Sequence, residues 1–369
     1  MLNKNKIPFG LDVSDISLKL VQFGPRRQVA AYTDAPIPKD AVTADIIKDP
    51  KGLIAAIRAA VAKPKFGRVT GPYVVASIPE TKSFVRVIQM PKMTEEEARE
   101  AVPFEAEQYI PMPVGAVYLD WVILGGGDKG NRGDMGDQGK MTVLITAAPK
   151  EYVDDYVAIL KEAGLKPLAL EVESQATARS LVSDAHARES VLIADIDTVR
   201  TSLIIYDKGV LEFTSSLPIA GNAFTEAIAK AQTLDTATAE KMKREVGLGE
   251  PINGQATEKR SSPIHRQSTD ARKALLPVLN SLVDEIKNTV HFHEEHAASK
   301  ITRLLLAGGS SKLLHLPSFL QEKLQDTGIK VELGNPWNKV LPRGATPPLS
   351  REDSLSYATA IGIALRELE

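Results

Sequence analysis

Apolar and polar positions alternate through the first part of the chain in a pattern that predicts strands and helices in turn. The segment from Phe9 to Phe23 predicts two strands joined by a tight turn, because apolar and β-branched residues flank a polar stretch at 12–15. Further strands are predicted at 29–32 and 73–78, and the spacing over 52–62 predicts a helix. This alternation is typical of an α/β domain.

A change of pattern after residue 82 predicts a separate α+β unit. Thr94 and Glu97 have the spacing of a capping box, so a helix is expected to begin there and to continue until Pro111 stops it. Strands are predicted at 84–90, 118–124 and 141–147, and a second helix is predicted at 151–163. We interpret residues 82–165 as a unit inserted into the first domain.

Three later segments have less regular patterns. Glycine recurs every third residue from Gly127 to Gly139. The segment 127–140 is therefore predicted to form a flexible hairpin loop. The polar stretch from Gly249 to Ser268 predicts an exposed loop within a helix-rich region at 223–296. The spacing of apolar residues over 354–368 predicts an amphipathic helix at the C-terminal end.

The strand–turn–strand pattern at the beginning of the chain recurs 183 residues later. The corresponding residues are Asp12, Ser17 and Pro36 in the first copy and Asp195, Ser202 and Pro218 in the second. Two copies of one unit imply two similar domains that face each other across a cleft.

Composition excludes several classes of protein. The 369 residues carry a formal net charge of -2, so the positive field on which nucleic-acid binding depends is absent. Without cysteine there is no disulfide, thiolate zinc site or Cys nucleophile. No apolar stretch approaches the ~18 residues of a membrane span, and the N-terminus lacks a signal-peptide pattern. We therefore expect a cytoplasmic protein that reaches the membrane only through a partner.

Candidate chemistry lies at the ends of the two repeated strands. Asp12 and Asp195 each follow an apolar strand and precede a turn, so across a cleft the pair could hold the water ligands of a hydrated Mg²⁺. A third strand at 304–306 enters Gly308 and Gly309, where the backbone can approach a ligand closely. Each feature alone is also explained as ordinary turn chemistry, but the three in this order favour nucleotide binding over a degenerate cleft.

The order of these motifs resembles that of the actin, sugar kinase and heat-shock chaperone superfamily. The resemblance narrows to the PilM family of type IV pilus assembly proteins through 93–97 (MTEEE), 104–113 (FEAEQYIPMP) and 218–222 (PIAGN). It covers almost the whole chain, with the glycine-rich loop and 249–268 outside it. It implies two duplicated actin-like, ribonuclease H-like α/β domains around a nucleotide cleft, with a small inserted domain of the 1C type.

The implied domain boundaries follow from this resemblance. The first actin-like domain is expected at 1–81 and 166–189, with the insertion at 82–165. The second domain is expected at 190–349, with a helical subdomain at 223–300. The final residues, 350–369, are expected to pack on the first domain as a helix.

The same resemblance implies a set of nucleotide-binding residues. In the superfamily, the helix that resembles 239–244 contacts adenosine, which would direct Glu240 to the ribose and Lys243 or Arg244 to the base, although Glu240 and Arg244 are also an ordinary i,i+4 pair. Glu173 is the candidate for orienting a catalytic water, although it could equally be a helix-start charge. The remaining candidates are Asp12, Ser14, Asp15, Ser17 and Lys19; Asp195, Asp197, Thr198 and Thr201; and Gly221, Gly308, Gly309 and Ser310.

Two departures from the family pattern bear on catalysis. Ser14 and Asp197 stand where PilM-like proteins usually have the glycines of the phosphate loops. Losing glycine removes easy access to positive φ, and Asp197 adds negative charge beside a triphosphate. We therefore expect at most a weak ATPase, with ATP and Mg²⁺ bound weakly or not at all.

The resemblance also implies a partner. The cleft between the first and inserted domains is expected to capture the cytoplasmic N-terminal peptide of a PilN-like inner-membrane protein, and nucleotide state is expected to tune this contact or contacts with pilus motor ATPases. Phe104 and Tyr109 are the first candidates for the docking surface, although both could be core residues of the inserted domain. The alternatives are an FtsA-like polymer-forming division protein and an actin-fold kinase of a small molecule.

Overall fold

The computed structural model describes residues 7–125, 139–183, 186, 188–249, 263–297, 299–341 and 347–368. Most of the predicted loops at 127–140 and 249–268 therefore lies outside the described residues. Residues 263–268, predicted as part of the second loop, form the beginning of a long helix.

A six-stranded sheet forms the first domain. Its strand order is β11-β7-β1-β2-β3-β6, in which β1 pairs with β2 in antiparallel fashion and with β7 in parallel. The hairpin β1–β2 forms because every residue of β1 is buried while the intervening 14–16 are not. The strands are β1 Phe9–Val13, β2 Ser17–Phe23, β3 Val29–Pro36, β6 Phe66–Gly67, β7 Tyr73–Ile78 and β11 Lys166–Val172; a small separate hairpin is formed by β4 Val42–Thr43 and β5 Ile46–Ile47.

Two helices cover one face of this sheet. Helices α1 (Pro50–Ala62) and α3 (Lys150–Glu162) contribute their apolar faces to one core together with Phe9 and Leu11, and α3 supplies Tyr156 and Leu160. The boundary predicted at 165 is therefore wrong for α3. This helix follows the inserted unit in the chain, but its buried face belongs to the first domain.

The inserted unit has its own small core. Its sheet has the order β8-β10-β9, from β8 Phe84–Pro91, β9 Val117–Gly125 and β10 Lys140–Pro149. Helix α2 (Glu95–Ala106) begins at the predicted capping box, in which Thr94 and Glu97 exchange hydrogen bonds between side chain and backbone. It ends at Ala106, earlier than the predicted stop before Pro111, and a turn with hydrogen bonds from Gln108 and Tyr109 to the last helical turn follows.

The second domain repeats the topology of the first. Its sheet has the order β14-β13-β12-β15-β16, and the pattern of parallel and antiparallel pairs matches β3-β2-β1-β7-β11. This duplication confirms the expected pair of similar domains. The strands are β12 Ser190–Ile196, β13 Thr201–Asp207, β14 Val210–Leu217, β15 Ile301–Ala307 and β16 Lys330–Leu333.

Strand pairing corrects the correspondence between the two copies. Asp12 pairs with Lys19 in the first hairpin, and Asp195 pairs with Ser202 in the second. Lys19, and not Ser17, is therefore the structural equivalent of Ser202. The two turns have the same length, because the paired residues are separated by the same number of positions in both hairpins, and matching Ser17 with Ser202 by letter alone shifted the alignment by two residues.

Helices α5 (Gly221–Gln232), α6 (Thr236–Val246), α7 (Pro263–His296) and α8 (Leu316–Lys323) belong to the second domain. Buried leucines of α7 pack against α5 and the sheet in one large core. No helix among the described residues is both long enough and apolar enough to cross a membrane.

The C-terminal end of the chain returns to the first domain. After α9 (Arg351–Ser354), helix α10 (Ala358–Leu365) packs against β1, β2 and α4 (Glu173–Leu181). All eight residues of α10 are buried, so the prediction of an amphipathic helix is wrong here. A helix that lies between a sheet and another helix has no solvent side to make polar.

Candidate functional site

The two repeated hairpins bring their acidic ends to one cleft. Asp12 and Asp195 both line it, together with Ser14, Asp15, Asp197 and Thr198 from the turns that follow and with Glu173 at the beginning of α4. The expected juxtaposition of the two aspartates is therefore present in the structure. The cavity is small, about 70 Å³.

Burial changes the acidity of both aspartates. Desolvation raises the pKa of Asp12, although Lys19 and a hydrogen bond from the Ser77 hydroxyl at 2.9 Å act in the opposite direction. Desolvation, followed by the charges of Asp197 and Asp12, raises the pKa of Asp195 to about 7. Each of these carboxyl groups makes ionisation of the other less favourable. A cation bound between them would therefore stabilise both charged forms.

Lys19 is the buried cation of the cleft. Burial by itself lowers the pKa of Lys19, but the carboxylates of Asp197, Asp12, Asp34 and Asp195 outweigh it and leave the pKa above its ordinary value. In the part of the chain that the structure describes, its ammonium is in no ion pair or hydrogen bond. It therefore remains charged, although it is buried and is not among the residues that line the cavity.

Glu173 lies deeper among the acids. Desolvation, followed by the charges of Asp12, Asp45, Glu80 and Asp195, raises the pKa of Glu173 well above its usual value. Its position on the cleft wall fits the role expected from the sequence, but its carboxyl group holds a proton more tightly than an exposed glutamate does.

The Gly308–Gly309 turn after β15 contacts the turn that follows β12. Gly308 has a φ of 82°, and a Cβ there would lie 2.3 Å from the carbonyl oxygen of Ile196 and 2.6 Å from Oδ1 of Asp195. Only glycine fits at this contact. The Ser310 hydroxyl donates to the carbonyl of Asp197 at 2.8 Å, and the Gly221 N–H donates to the same carbonyl at 3.0 Å.

Ser14 and Asp197, which stand where the family usually has glycine, have backbone conformations that do not require glycine. Ser14 and Asp197 are absent from the described residues with positive φ. The Ser14 hydroxyl donates to the carbonyl of Ser17 at 3.0 Å, and the Asp197 N–H donates to the carbonyl of Arg200 at 3.0 Å. The expected backbone penalty is therefore not found, and the negative charge of Asp197 is what distinguishes this loop.

The adenosine-side candidates form one network between α5 and α6. Lys243 is buried and donates to the carbonyl of Gly221 at 3.0 Å and to Glu240 at 2.7 Å. Burial by itself would raise the pKa of Glu240, but hydrogen bonds from Lys243, Thr225 and Arg244 outweigh it and lower the pKa to about 2. Lys243 is engaged within the protein, so a base would meet the exposed Arg244.

Two further candidates make structural contacts, Thr201 away from the cleft and Asp15 on its lining. The buried Thr201 hydroxyl donates to the carbonyl of Ile219 at 2.5 Å, which anchors the end of β14. The Asp15 carboxylate accepts from the N–H groups of Ala44 and Asp45 at 3.2 and 3.1 Å. Asp15 therefore fixes the β4–β5 hairpin to the first turn.

Contacts across the cleft were not foreseen from the sequence. Arg200 forms an ion pair with Asp45 of the first domain at 2.9 Å, and the Thr214 hydroxyl donates to Glu80. Asp45 lies on a short hairpin without a recognisable motif, so no local signal indicated it. A nucleotide needs a cavity of roughly 300 Å³ or more, so these contacts must open to admit one.

A second and larger cavity lies between the inserted unit and the first domain. This peptide-sized groove of about 710 Å³ runs between β9 and β11 and is lined by Tyr118, Val122 and Leu168. All three side chains are exposed, by 48%, 50% and 44%. Phe104 and Tyr109, the predicted docking residues, are not among its lining residues.

Phe104 and Tyr109 lie in different surroundings from each other. Phe104 is 78% exposed on α2, whereas Tyr109 packs on the inserted core beneath the guanidinium of Arg86, 5.1 Å from the ring centroid. The core interpretation therefore fits Tyr109 but not Phe104.

A family model and a solved structure both match this chain over nearly its whole length. A family model described as type IV pilus assembly protein PilM matches residues 10–368. A structure of the PilM-PilN type IV pilus biogenesis complex is 28% identical with a TM-score of 0.79, and the alignment covers 99% of each chain.

More distant structures share the fold. Ethanolamine utilization protein EutJ from Carboxydothermus hydrogenoformans is 15% identical over 99% of this chain and 92% of its own, with a TM-score of 0.55. MreB 5 of Spiroplasma citri bound to AMPPNP is 14% identical over 99% and 97%, with a TM-score of 0.56.

Proposed function

This chain belongs to the PilM family of type IV pilus assembly proteins, and on that premise we propose that it is a scaffold that captures the N-terminal cytoplasmic peptide of a PilN-like inner-membrane protein. The peptide would lie in the groove between β9 and β11. Binding a membrane-anchored partner would place the chain at the inner face of the cytoplasmic membrane.

The observation that carries this proposal is that two sheet edges face one groove. β9 is an outer strand of the inserted sheet, and β11 is an outer strand of the first-domain sheet. Edge strands present unpaired backbone N–H and C=O groups, to which an extended peptide can add as a further strand. Backbone bonding would give affinity, and the pockets beside it would select side chains.

The groove also offers apolar anchors with charged groups nearby. Tyr118 and Val122 are four residues apart on β9, so their side chains point to the same side of the strand. Leu168 faces the same cavity from β11, and Lys161 and Asp120 also line it. Exposed apolar side chains on a concave surface mark a binding site for an apolar peptide.

The test is fluorescence anisotropy of a labelled synthetic peptide with the N-terminal cytoplasmic sequence of the PilN-like protein from the same organism. Leu168→Asp should weaken binding by about tenfold or more, because a carboxylate would be desolvated against the peptide. Phe104→Ala is the matched control, since Phe104 is more exposed but does not line the groove. Melting curves of both variants check that they are folded.

Two results would overturn this assignment. An unaltered chain that does not bind the peptide would contradict the proposed partner. Loss of binding in the Phe104 variant with normal binding in the Leu168 variant would move the docking surface to α2.

A second function is favoured by the cleft, and we propose that Mg²⁺-ATP binds there when the domains separate. The donor set fits the group: Asp12 and Asp195 line the cleft and can hold water ligands of Mg²⁺, and Lys19, which pairs with Asp12 in the hairpin, would supply positive charge near the phosphates. Bound Mg²⁺ would neutralise phosphate charge beside these acids. Glu240 and Arg244 are linked to the cleft side through Lys243, which bonds both Glu240 and the carbonyl of Gly221, and they would contact the nucleoside.

Titration calorimetry with Mg²⁺-ATP tests this second function. Asp197→Gly should tighten ATP binding by roughly fivefold or more, because it removes a negative charge close to the phosphate path. Asp195→Asn should weaken ATP binding and abolish its dependence on Mg²⁺. If ATP releases no heat with either the unaltered chain or the Asp197 variant, the cleft is not a nucleotide site.

A further inference from the structure

A cluster of potential metal ligands lies at the end of the second domain opposite the cleft. Asp207 ends β13, Glu212 lies near the beginning of β14, and His293 belongs to the last turn of α7. Asp207 pairs with Ser190 at the start of β12, whereas Asp195 lies five residues along the same strand, about 17 Å away. This cluster is therefore separate from the candidate nucleotide site.

Their ligand atoms already converge. One ligand atom from each of the three side chains lies within 4.8 Å of the others, and Nδ1 of His293 is 2.8 Å from Oε2 of Glu212. His293 is only 2% exposed. Three separate elements therefore direct two carboxylates and one imidazole to one point.

One atom of the cluster lacks a conventional partner. Oε2 of Glu212 is shielded from water, and no donor among the described residues reaches it with the direction of a hydrogen bond. Nδ1 of His293 lies 2.8 Å from it in an ion-pair contact, and the Glu212 side chain as a whole is 34% exposed. A metal ion held by both side chains would satisfy this oxygen more fully.

A supporting shell holds the other carboxylate in place. The Ser190 hydroxyl donates to Oδ1 of Asp207 at 2.5 Å, and the Ser299 hydroxyl donates to Oδ2 at 2.8 Å. Ser299 also lies 3.3 Å from Nε2 of His293. Hydroxyl groups that orient ligating side chains are a common feature of metal sites.

From these contacts we propose that Asp207, Glu212 and His293 bind a Zn²⁺ ion. One imidazole and two carboxylates suit zinc better than Mg²⁺ or Ca²⁺, which prefer oxygen ligands alone, and three protein ligands leave one position for water. The ion would fasten the β13–β14 hairpin to the C-terminal end of α7.

The experiment is a Zn²⁺ titration of the chelator-treated full chain in competition with a chromophoric chelator. One zinc ion should bind per chain and raise the melting temperature. His293→Gln and Glu212→Gln keep similar size and should each weaken zinc binding by at least about tenfold. His291→Gln is the control, because His291 lies on the same helix, is exposed and pairs with Glu295.

The outcomes separate zinc binding from a purely internal ion network. If the unaltered chain binds no zinc, or if His293→Gln binds it as tightly as the unaltered chain, the proposal is wrong. Loss of binding in the His291 variant alone would identify an adventitious surface site and would also overturn it. The metal-free melting temperature of each variant shows whether folding is intact.

Discussion

Asp195 illustrates how the fold changes the chemistry of one carboxyl group. It is paired in the middle of a sheet, and Asp197, Asp12 and Lys19 surround it together with the hydroxyl of Thr177. The sequence shows an aspartate at the end of a strand. Its raised pKa depends first on burial and then on the charges of Asp197 and of Asp12, which comes from the other domain, and all three arise only in the folded chain.

At the residue scale we predict a pH-dependent stability that Asp195→Asn removes. The folded pKa of about 7 lies above the reference value of 3.8, so the folded state holds the proton more tightly. The associated stabilisation is complete below pH 3.8 and is lost as the pH rises through about 7. Between pH 5 and 8 the loss is on the order of 2 kcal/mol relative to the asparagine variant.

Urea unfolding of both chains across this pH range, with chelator and without nucleotide, measures the difference. The free energy of unfolding of the variant should increase relative to that of the unaltered chain as the pH rises. Parallel stability curves would show that Asp195 ionises at an ordinary pH and that the cleft does not desolvate it.

At the element scale, helix α10 depends on glycine for its position. A Cβ on Gly362 would lie 1.8 Å from the carbonyl oxygen of Ala176 on α4, and a Cβ on Gly10 would lie 2.4 Å from the carbonyl of Ala360. Close backbone approach at these two residues allows α10 to lie between β1 and α4. The C-terminal helix therefore belongs to the first-domain core by shape as well as by hydrophobicity.

We predict that Gly362→Ala destabilises the protein. Alanine in a helix normally gains about 1 kcal/mol over glycine, but overpacking here should outweigh that gain and lower the free energy of unfolding by about 2 kcal/mol or more. Gly115→Ala is the control, because a Cβ there meets nothing within 4 Å. Equal urea midpoints for the two variants would contradict the tight contact.

At the scale of the whole molecule, contacts across the cleft hold the two actin-like domains together. The Arg200–Asp45 ion pair is partly shielded, with the two side chains 30% and 13% exposed. Thr81 donates a hydrogen bond to Asp45, and Asp15 holds the hairpin that carries it. This arrangement is a candidate latch that must release before a nucleotide enters.

Arg200→Ala should loosen this latch. Loss of a partly shielded ion pair corresponds to about 1 kcal/mol, so opening should become roughly fivefold more frequent. Hydrogen exchange followed by mass spectrometry should then be faster at 42–47 and 197–200. Arg99→Ala removes an exposed pair with Glu95 on α2 and is the control; equal exchange in both variants would show that Arg200 does not restrain the cleft.

The sequence by itself determined the features that depend on neighbours along the chain. The hairpins, the Thr94–Glu97 capping box and the duplicated strand pattern follow from local hydrogen bonding and periodicity. The segments 93–97, 104–113 and 218–222 were sufficient to indicate the family. These signals survive because residues a few positions apart always remain close.

Only the tertiary structure decided which side chains from distant segments meet. Lys243 and Thr201 are buried in internal contacts, and α3 packs in the core of the first domain. Arg200 pairs with Asp45, and His293 lies beside Glu212. The groove proposed for the peptide likewise exists only because β9 and β11 are outer strands that face each other across one cavity. Burial and charge pairing depend on groups far away in sequence, so no local pattern records them.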